Sequence, residues 1–474
     1  MLDSEAAAGA TGTAPRSTEA RPRPGERLEL HVEGLVHGGA GIARRDRYVV
    51  FVEGGLPGDR VRAEVLKAKR DYARARAVEL LEPGPDRVPQ RCDHDGQPCP
   101  GSPWQGLRYE RQLEHKQALL ADALARLGGL EGHRLEPIVP AVNTERYRNK
   151  MEYSFGTGAG GELALGFHAR GQWERVENAR DCVLASERRN AVRNFVRDWC
   201  AEEGLSAHDR RAGFGFLRNL VVREGTRTGD LHVRLVTSEG DFRSDEFSHA
   251  LETRFGEVSV LWTQTNATAE VSHGGATTLL AGTPTLGEQV SSLSFRISPE
   301  AFFQTNTEMA ERLYELAADY AGLSGRERVF DIYCGIGTLS LIMVLHAAEV
   351  WGVDIAEHAI ADAIENARLN EIDNARFFAG DARTALRPLV EEAGRPEVVV
   401  VDPPRAGLSQ KVVRRLLESQ PRRIVYVSCN PTTLAPNARQ IVEAGFELVK
   451  VRPVDMFPHT PHIECVALLQ RRAG

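Results

Sequence analysis

Residues 328–354 read RVFDIYCGIGTLSLIMVLHAAEVWGVD. An apolar run carries Asp331 near its end, a loop brings Gly335 and Gly337, an apolar helical stretch follows, and a second apolar run ends in Asp354. Strand, glycine loop, helix and strand in this order form a β-α-β unit. Its glycines let the backbone approach a ligand, its helix start favours polar groups, and Asp354 can hold ribose hydroxyls. The same beat continues through ARFFAGD (375–381), EVVVVDPPR (397–405), RIVYVSCN (423–430), FELVKVRP (446–453) and ECVALLQ (464–470), with the helical EHAIADAIENARLN between the earlier runs. Regular alternation predicts an α/β fold over residues 300–474: a Rossmann-like, doubly wound parallel sheet with ligands at the carboxyl ends of its strands. Those ends are Asp331-Tyr333, Asp354, Asp381, Asp402 and Ser428-Asn430.

Outward from this unit the pattern changes. A chain of 474 residues needs more than one core. Residues 25–84 contain five short β-rich runs between Gly and Pro turns, which predicts a small barrel of the oligonucleotide-binding kind. Tyr48, Phe51 and Tyr72 are candidates there for base stacking or for core, beside seven Lys/Arg between Arg60 and Arg76 that by themselves read as a solvated face. Residues 85–299 hold a helical pattern from Leu107 to Leu127, then alternating segments such as MEYSFG, FLRNLVVRE and DLHVRLVTS that predict a mainly β, antiparallel central domain. Residues 1–24 are small, polar and Pro-rich, and read as a disordered tail. No apolar window reaches the roughly 20 residues of a membrane span, and no leader-like apolar stretch opens the chain, so a cytoplasmic, monomeric protein without membrane contact is expected. Net charge is −7, a weak argument against nucleic acid because binding surfaces are local. Seven scattered cysteines fit reactive or metal-binding thiols better than a disulfide framework.

The chemistry concentrates at the later strand ends. A GxG loop would also suit a dinucleotide, but Ser340 occupies the fingerprint's third position. Asp381 after the third strand can accept from an adenine amine, and Asp402-Pro403-Pro404 after the fourth forms an acceptor-substrate corner. In RIVYVSCNPTTL a buried strand delivers Cys429 to the same edge, with Pro431 suited to the first helical turn. A thiol at a helix start tends toward a lowered pKa. Carbon C5 of uracil is too electron-poor to attack a sulfonium methyl directly, and a thiolate added at C6 makes C5 enolate-like. A base must then remove the C5 proton, and Glu464 at the start of the last strand is the best placed carboxylate. His459 and His462 beside it are read as structural.

Together DIYCGIGTLSL, GVDI, DPPRAGL, YVSCNPTTL and DMFPHTPHIE resemble the motifs of the RNA (uracil-C5)-methyltransferases, closest to the 23S ribosomal RNA enzymes that carry a TRAM domain. YRNKMEYSFG and LRNLVVREG resemble the family's central domain, and residues 25–84 its TRAM barrel. The resemblance implies a class I methyltransferase domain and S-adenosyl-L-methionine as cofactor. Gln304, Tyr333, Thr338, Asp354, Asp381 and Asp402 would contact that cofactor, with Gly335 in the loop, Cys429 as nucleophile, Glu464 as base and Asp402 reaching the target base. Asp354 stands where many members have the longer Glu. The partner implied is structured RNA, 23S ribosomal RNA ahead of the T-loop of transfer RNA.

Members acting on ribosomal RNA often hold a [4Fe–4S] cluster through Cys-x5-Cys-x2-Cys and a distant fourth Cys. Here Cys92-DHDGQP-Cys99-PG-Ser102 has a spacing one residue longer and a serine in the third position, with Cys182 the later ligand and Cys200 an unmarked substitute. The resemblance thus implies an incomplete iron–sulfur set. Two rival readings are a cytosine-C5 methyltransferase, which would place Cys at the Pro403-Pro404-Arg405 corner, and an inactive RNA-binding factor, against which Cys429, Asp402 and Glu464 stand intact.

Overall fold

The computed structural model describes residues 21–92, 99–158, 160–169, 172–267 and 274–472. Residues 1–20, most of the expected tail, and 93–98, between Cys92 and Cys99, lie outside the described residues. The chain forms two compact units, one carrying the N-terminal barrel and the other the chain from Arg87 onward.

In the first unit β1 (Arg27–Leu35), β2 (Gly41–Arg45), β3 (Tyr48–Glu53), β4 (Arg60–Ala68) and β5 (Tyr72–Glu82) close into a barrel. Alternating residues face inward, and Leu28, Leu30, Val32, Val50, Val52, Val61 and Val65 fill it. Tyr48, Phe51 and Tyr72 are half-buried; Tyr48 packs against this core, and the Phe51 and Tyr72 rings lie edge to face at 5.6 Å. The basic run is neutralised in part: Arg60 and Arg62 pair with Glu29, Glu79 and Glu82, and Arg76 with Glu53.

The second unit begins with α1 (Tyr109–Arg126) and β6 (Arg134–Leu135). A seven-stranded sheet follows from β7 (Lys150–Thr157), β8 (Leu163–Ala169), β9 (Gln172–Asn178), β10 (Leu217–Glu224), β11 (Leu231–Thr237), β12 (Ser259–Gln264) and β13 (Ala276–Ala281), with α2 (Glu187–Glu202) and α3 (Ser244–Phe255) among them. The expected antiparallel pattern has an exception: β11 and β12 run parallel, because α3 crosses between them.

The hairpin β14 (Leu286–Val290) and β15 (Leu293–Ile297) leads through α4 (Thr307–Ala321) into the C-terminal sheet. That sheet is built from β16 (Arg328–Ile332), α5 (Thr338–Val344), β17 (Glu349–Asp354), α6 (Glu357–Leu369), β18 (Ala375–Ala379), α7 (Ala382–Ala393), β19 (Val398–Val401), α8 (Gln410–Glu418), β20 (Arg423–Ser428), α9 (Pro431–Glu443), β21 (Phe446–Val454) and β22 (Glu464–Arg471). Its order is β18-β17-β16-β19-β20-β22-β21-β6. Alternate residues of the central strands feed two cores. Val329, Val350, Val400 and Val425 pack under α4, α5 and α6, while Phe330, Val353, Val401 and Tyr426 pack under α7, α8, α9 and α1. Burial on both faces explains the continuous apolar runs. The sheet departs from the all-parallel expectation at β22, which is antiparallel to both β20 and β21. Although α1 and β6 lie far upstream in sequence, they belong to these layers: β6 pairs with β21, and Leu120 and Leu124 of α1 join the second core. Among the described residues no helix is long and apolar enough to cross a membrane.

Candidate active site

The loop between β16 and α5 turns on three residues with positive φ: Tyr333 at 74°, Gly335 at 54° and Gly337 at 81°. At Gly337 a Cβ would stand 3.0 Å from the Phe377 ring and 3.1 Å from Ala363, so only glycine suits both the conformation and the space. Asp354 at the end of β17 accepts from the Gly335 backbone N–H at 3.0 Å and from that of Ala356 at 2.9 Å, which ties the loop to the next strand. Thr338 opens α5 and is buried.

Beneath the loop, Asp331 is buried, and its Oδ2 accepts from the Ser340 hydroxyl at 2.5 Å while its Oδ1 has no hydrogen-bond partner among the described residues. Burial, with the nearby Asp354 carboxylate, pushes its carboxyl up to about 7 against the Ser340 hydrogen bond. Ser340 is therefore the hydroxyl that holds Asp331. A glycine cradle over an orphaned buried acceptor fits a ligand that brings hydrogen-bond donors or positive charge.

Of the remaining cofactor candidates, Asp381 acts on Tyr333 of this loop. Gln304 is buried, and its backbone carbonyl accepts from Asn149 Nδ2 at 2.9 Å. Asp381 follows β18, next to β17, and its side chain accepts from the Arg383 backbone N–H at 2.8 Å as the cap of α7. The Arg383 guanidinium beside it holds the carboxylate down at about 2. Asp381 is thus engaged by Arg383.

The reversed strand decides the rest of the site. Parallel strands bring only their carboxyl ends to the ligand edge, but an antiparallel strand brings its start. Ser428 at the end of β20 pairs with Cys465, the second residue of β22, so Cys429 and Glu464 each adjoin this pair, and the Glu464 charge acts on the Cys429 thiol. Asp402 follows β19, whose Val401 pairs with Tyr426 of β20. Asn430 caps α9 through its side chain, accepting from the Thr432 backbone N–H at 3.1 Å, and its Nδ2 donates to the Arg405 carbonyl at 3.0 Å.

Electrostatics corrects one expectation. The Cys429 thiol is pushed up to about 12, not lowered: burial dominates, the Glu464 and Asp402 charges add to it, and Arg405 opposes. Asp402 is itself raised to about 7 by burial and by Asp331, and Glu464 is raised well above the usual carboxylate range by burial and by Asp402, with Arg405 and Lys116 opposing. Three acids and a thiol crowd an edge whose positive charge comes from few groups. Such a site gains from a cationic ligand.

Residues 284–472 match the family model described as tRNA (Uracil-5-)-methyltransferase, and residues 21–78 match the TRAM domain. An uncharacterized RNA methyltransferase of Clostridium tetani is 36% identical over 455 residues, covering 95% of this chain and 99% of its own. This chain belongs to the RNA (uracil-5-)methyltransferase family. An uncharacterized RNA methyltransferase of Chlorobaculum tepidum is 38% identical over 89% of this chain and 91% of its own. The tRNA (uracil-54, C5)-methyltransferase of Pyrococcus abyssi, solved with S-adenosyl-L-homocysteine, superposes with a TM-score of 0.75 at 28% identity, covering 93% of this chain and 100% of that one. The fold and the family make S-adenosylmethionine the cofactor of this methyltransferase.

The iron–sulfur expectation finds no support in this uracil methyltransferase. Cys99 accepts from Ser102 Oγ at 3.3 Å, and Gln105 Nε2 donates to Cys92 Sγ at 3.4 Å and to Ser102 Oγ at 3.0 Å. Cys92 and Ser102 beside it hold the Cys99 thiol down at about 7, while burial pushes Cys182 up. Among the described residues no group of three or more His, Cys, Asp or Glu is arranged to hold a metal ion. Ser102 fills the third position with a hydroxyl that donates to Cys99 and accepts from Gln105. Sequence reasoning also passed over Arg405, Lys116, Asp455 and Tyr314. Tyr314 of α4 is buried, and Asp402, Asp331 and Glu464 all act on it. Tyr314 and Lys116 sit in ordinary amphipathic helices, where nothing local marks them.

Proposed function

We propose that this enzyme methylates C5 of a uridine in structured RNA by transient covalent addition of Cys429. When bound, S-adenosylmethionine supplies an electrophilic methyl group on a sulfonium; Gln304, Tyr333, Gly335, Thr338, Asp354, Asp381 and Asp402 are the residues that would hold it. Cys429 loses its proton to solvent, and the thiolate forms a bond to C6 as the C5–C6 double bond opens, which raises electron density at C5. Arg405 favours the thiolate in this step. Once C5 carries the methyl group, Glu464 takes the C5 proton, the C5–C6 double bond reforms, and the sulfur–C6 bond breaks. Asp402, beside both groups, contacts cofactor or base. The observation that supports this reading is the Ser428–Cys465 register next to both residues, together with the Glu464 charge acting on the Cys429 thiol.

We propose 23S ribosomal RNA as the substrate class, on the cysteine remnant Cys92, Cys99 and Cys182. The T-loop of transfer RNA is the second reading, favoured by the likeness to the Pyrococcus abyssi tRNA (uracil-54, C5)-methyltransferase. Mapping of 5-methyluridine in RNA from a deletion strain separates the two. The chemistry is tested with RNA containing 5-fluorouridine, whose fluorine cannot leave as a proton does. The parent enzyme should form an adduct stable to denaturant, and Cys429→Ala should bind the RNA without forming one. A surviving adduct in the variant would assign the nucleophile elsewhere.

A further inference from the structure

Helix α1 turns three polar side chains, Tyr109, Gln112 and Lys116, toward the segment 455–463 that joins β21 to β22. Gln112, Lys116 and Asp455 have no exposed surface. Lys116 Nζ donates to Asp455 Oδ1 at 2.5 Å and to the Phe457 carbonyl at 3.0 Å, and the Tyr109 hydroxyl donates to Asp455 Oδ2 at 2.8 Å. Gln112 Oε1 accepts from the His459 backbone N–H at 2.8 Å. His459 is held at a φ of 66°, a strained conformation for a residue with a side chain, and persists only where neighbours over-determine it. The Trp104 backbone N–H donates to the His459 carbonyl at 2.9 Å, and the Tyr147 hydroxyl to that of Pro458 at 3.1 Å. The segment so fixed ends directly at Glu464.

A buried ion pair is a poor source of stability, because desolvation offsets its attraction and apolar replacements often do as well. What Lys116 and Asp455 supply instead is one conformation for the segment, together with a positive charge that acts on Glu464. The charged groups facing Lys116 are Asp455 and Glu464. We propose that Lys116 and Asp455 are a positioning pair that sets Glu464 to remove the C5 proton, so that losing the pair stalls the reaction after methyl transfer. The inference rests on the reading of Glu464 as the base.

The test uses the full-length enzyme, tritiated S-adenosylmethionine and transcripts that the parent methylates, and separates methyl label in denaturant-stable enzyme–RNA complex from label in free RNA. Glu464→Gln should trap the label in the complex. Lys116→Met and Asp455→Asn should do the same in part, with kcat lowered about tenfold or more but by less than the roughly 10²–10⁴ that a general base contributes, and KM for RNA within about threefold of parent. The double variant Lys116→Met/Asp455→Leu replaces the pair with apolar groups that can keep the fold, and it should still trap label. Release of free methylated RNA at the parental rate by the folded double variant, while Glu464→Gln traps it, overturns the positioning role and leaves the base intact. Loss of methyl transfer without a trapped complex in the Lys116 and Asp455 variants overturns it as well. If Glu464→Gln itself traps nothing, the base assignment fails and this inference with it.

Discussion

Asp402 sits half-buried among groups of its own sign, and its carboxyl is raised from 3.8 to about 7. The folded chain therefore keeps a proton that the unfolded chain gives up at lower pH. The resulting stability is fully present below the unfolded value and is lost as pH rises through about 7. Asp402→Asn removes the buried charge. It should melt above the parent at pH 8, by a margin that shrinks toward pH 5, and should lose methylation. Thermal melts at both pH values check this; an equal shift at both would show that the carboxyl is not the cause. A destabilised acid at the reacting edge is the usual trade between stability and activity. Cys429 belongs to the same balance. Its position was legible in YVSCNPTTL, but its raised pKa was not, because a helix start is visible in sequence while burial and the approach of Glu464 and Asp402 are not.

Among the elements, the turn between β16 and α5 depends most on a single residue. Gly337→Ala must place a side chain at a φ of 81° and push its Cβ toward Phe377 and Ala363. The left-handed conformation alone costs about 1–2 kcal/mol. Displacement of the loop should also weaken S-adenosylhomocysteine, which calorimetry would report as a lower affinity alongside a lower denaturation midpoint. Unchanged affinity would remove this loop from the cofactor site. The turn was readable because strand, glycines and helix follow one another within one short stretch. The direction of β22 was not, since an apolar run looks the same read either way. Only the short connection from Val454 to Glu464, which favours an antiparallel return, carries a hint of it.

For the whole molecule, the barrel and the larger unit carry different tasks. The barrel's arginines on β4 are mostly paired with glutamates, which leaves Lys69 and Arg74 exposed near the half-buried Tyr72. Lys69→Glu/Arg74→Glu should weaken RNA binding in filter assays and flatten its salt dependence by about 0.7 in log–log slope for each single-strand phosphate that is no longer neutralised. Cofactor affinity should be unchanged. An unaltered salt slope would move the RNA-binding surface off this face.

The sequence by itself determined the layers of the C-terminal sheet, the acids at its strand ends, the cysteine beside them and the family, because each is written in residues close together along the chain. The tertiary structure alone decided that the Glu464 charge acts on Cys429 and that Lys116 reaches Asp455 across 339 positions. It also decided that Ser102 and Gln105 share the neighbourhood of the expected iron–sulfur thiols. Strand direction, register and burial are set by packing between distant segments, and periodicity within a segment does not encode them.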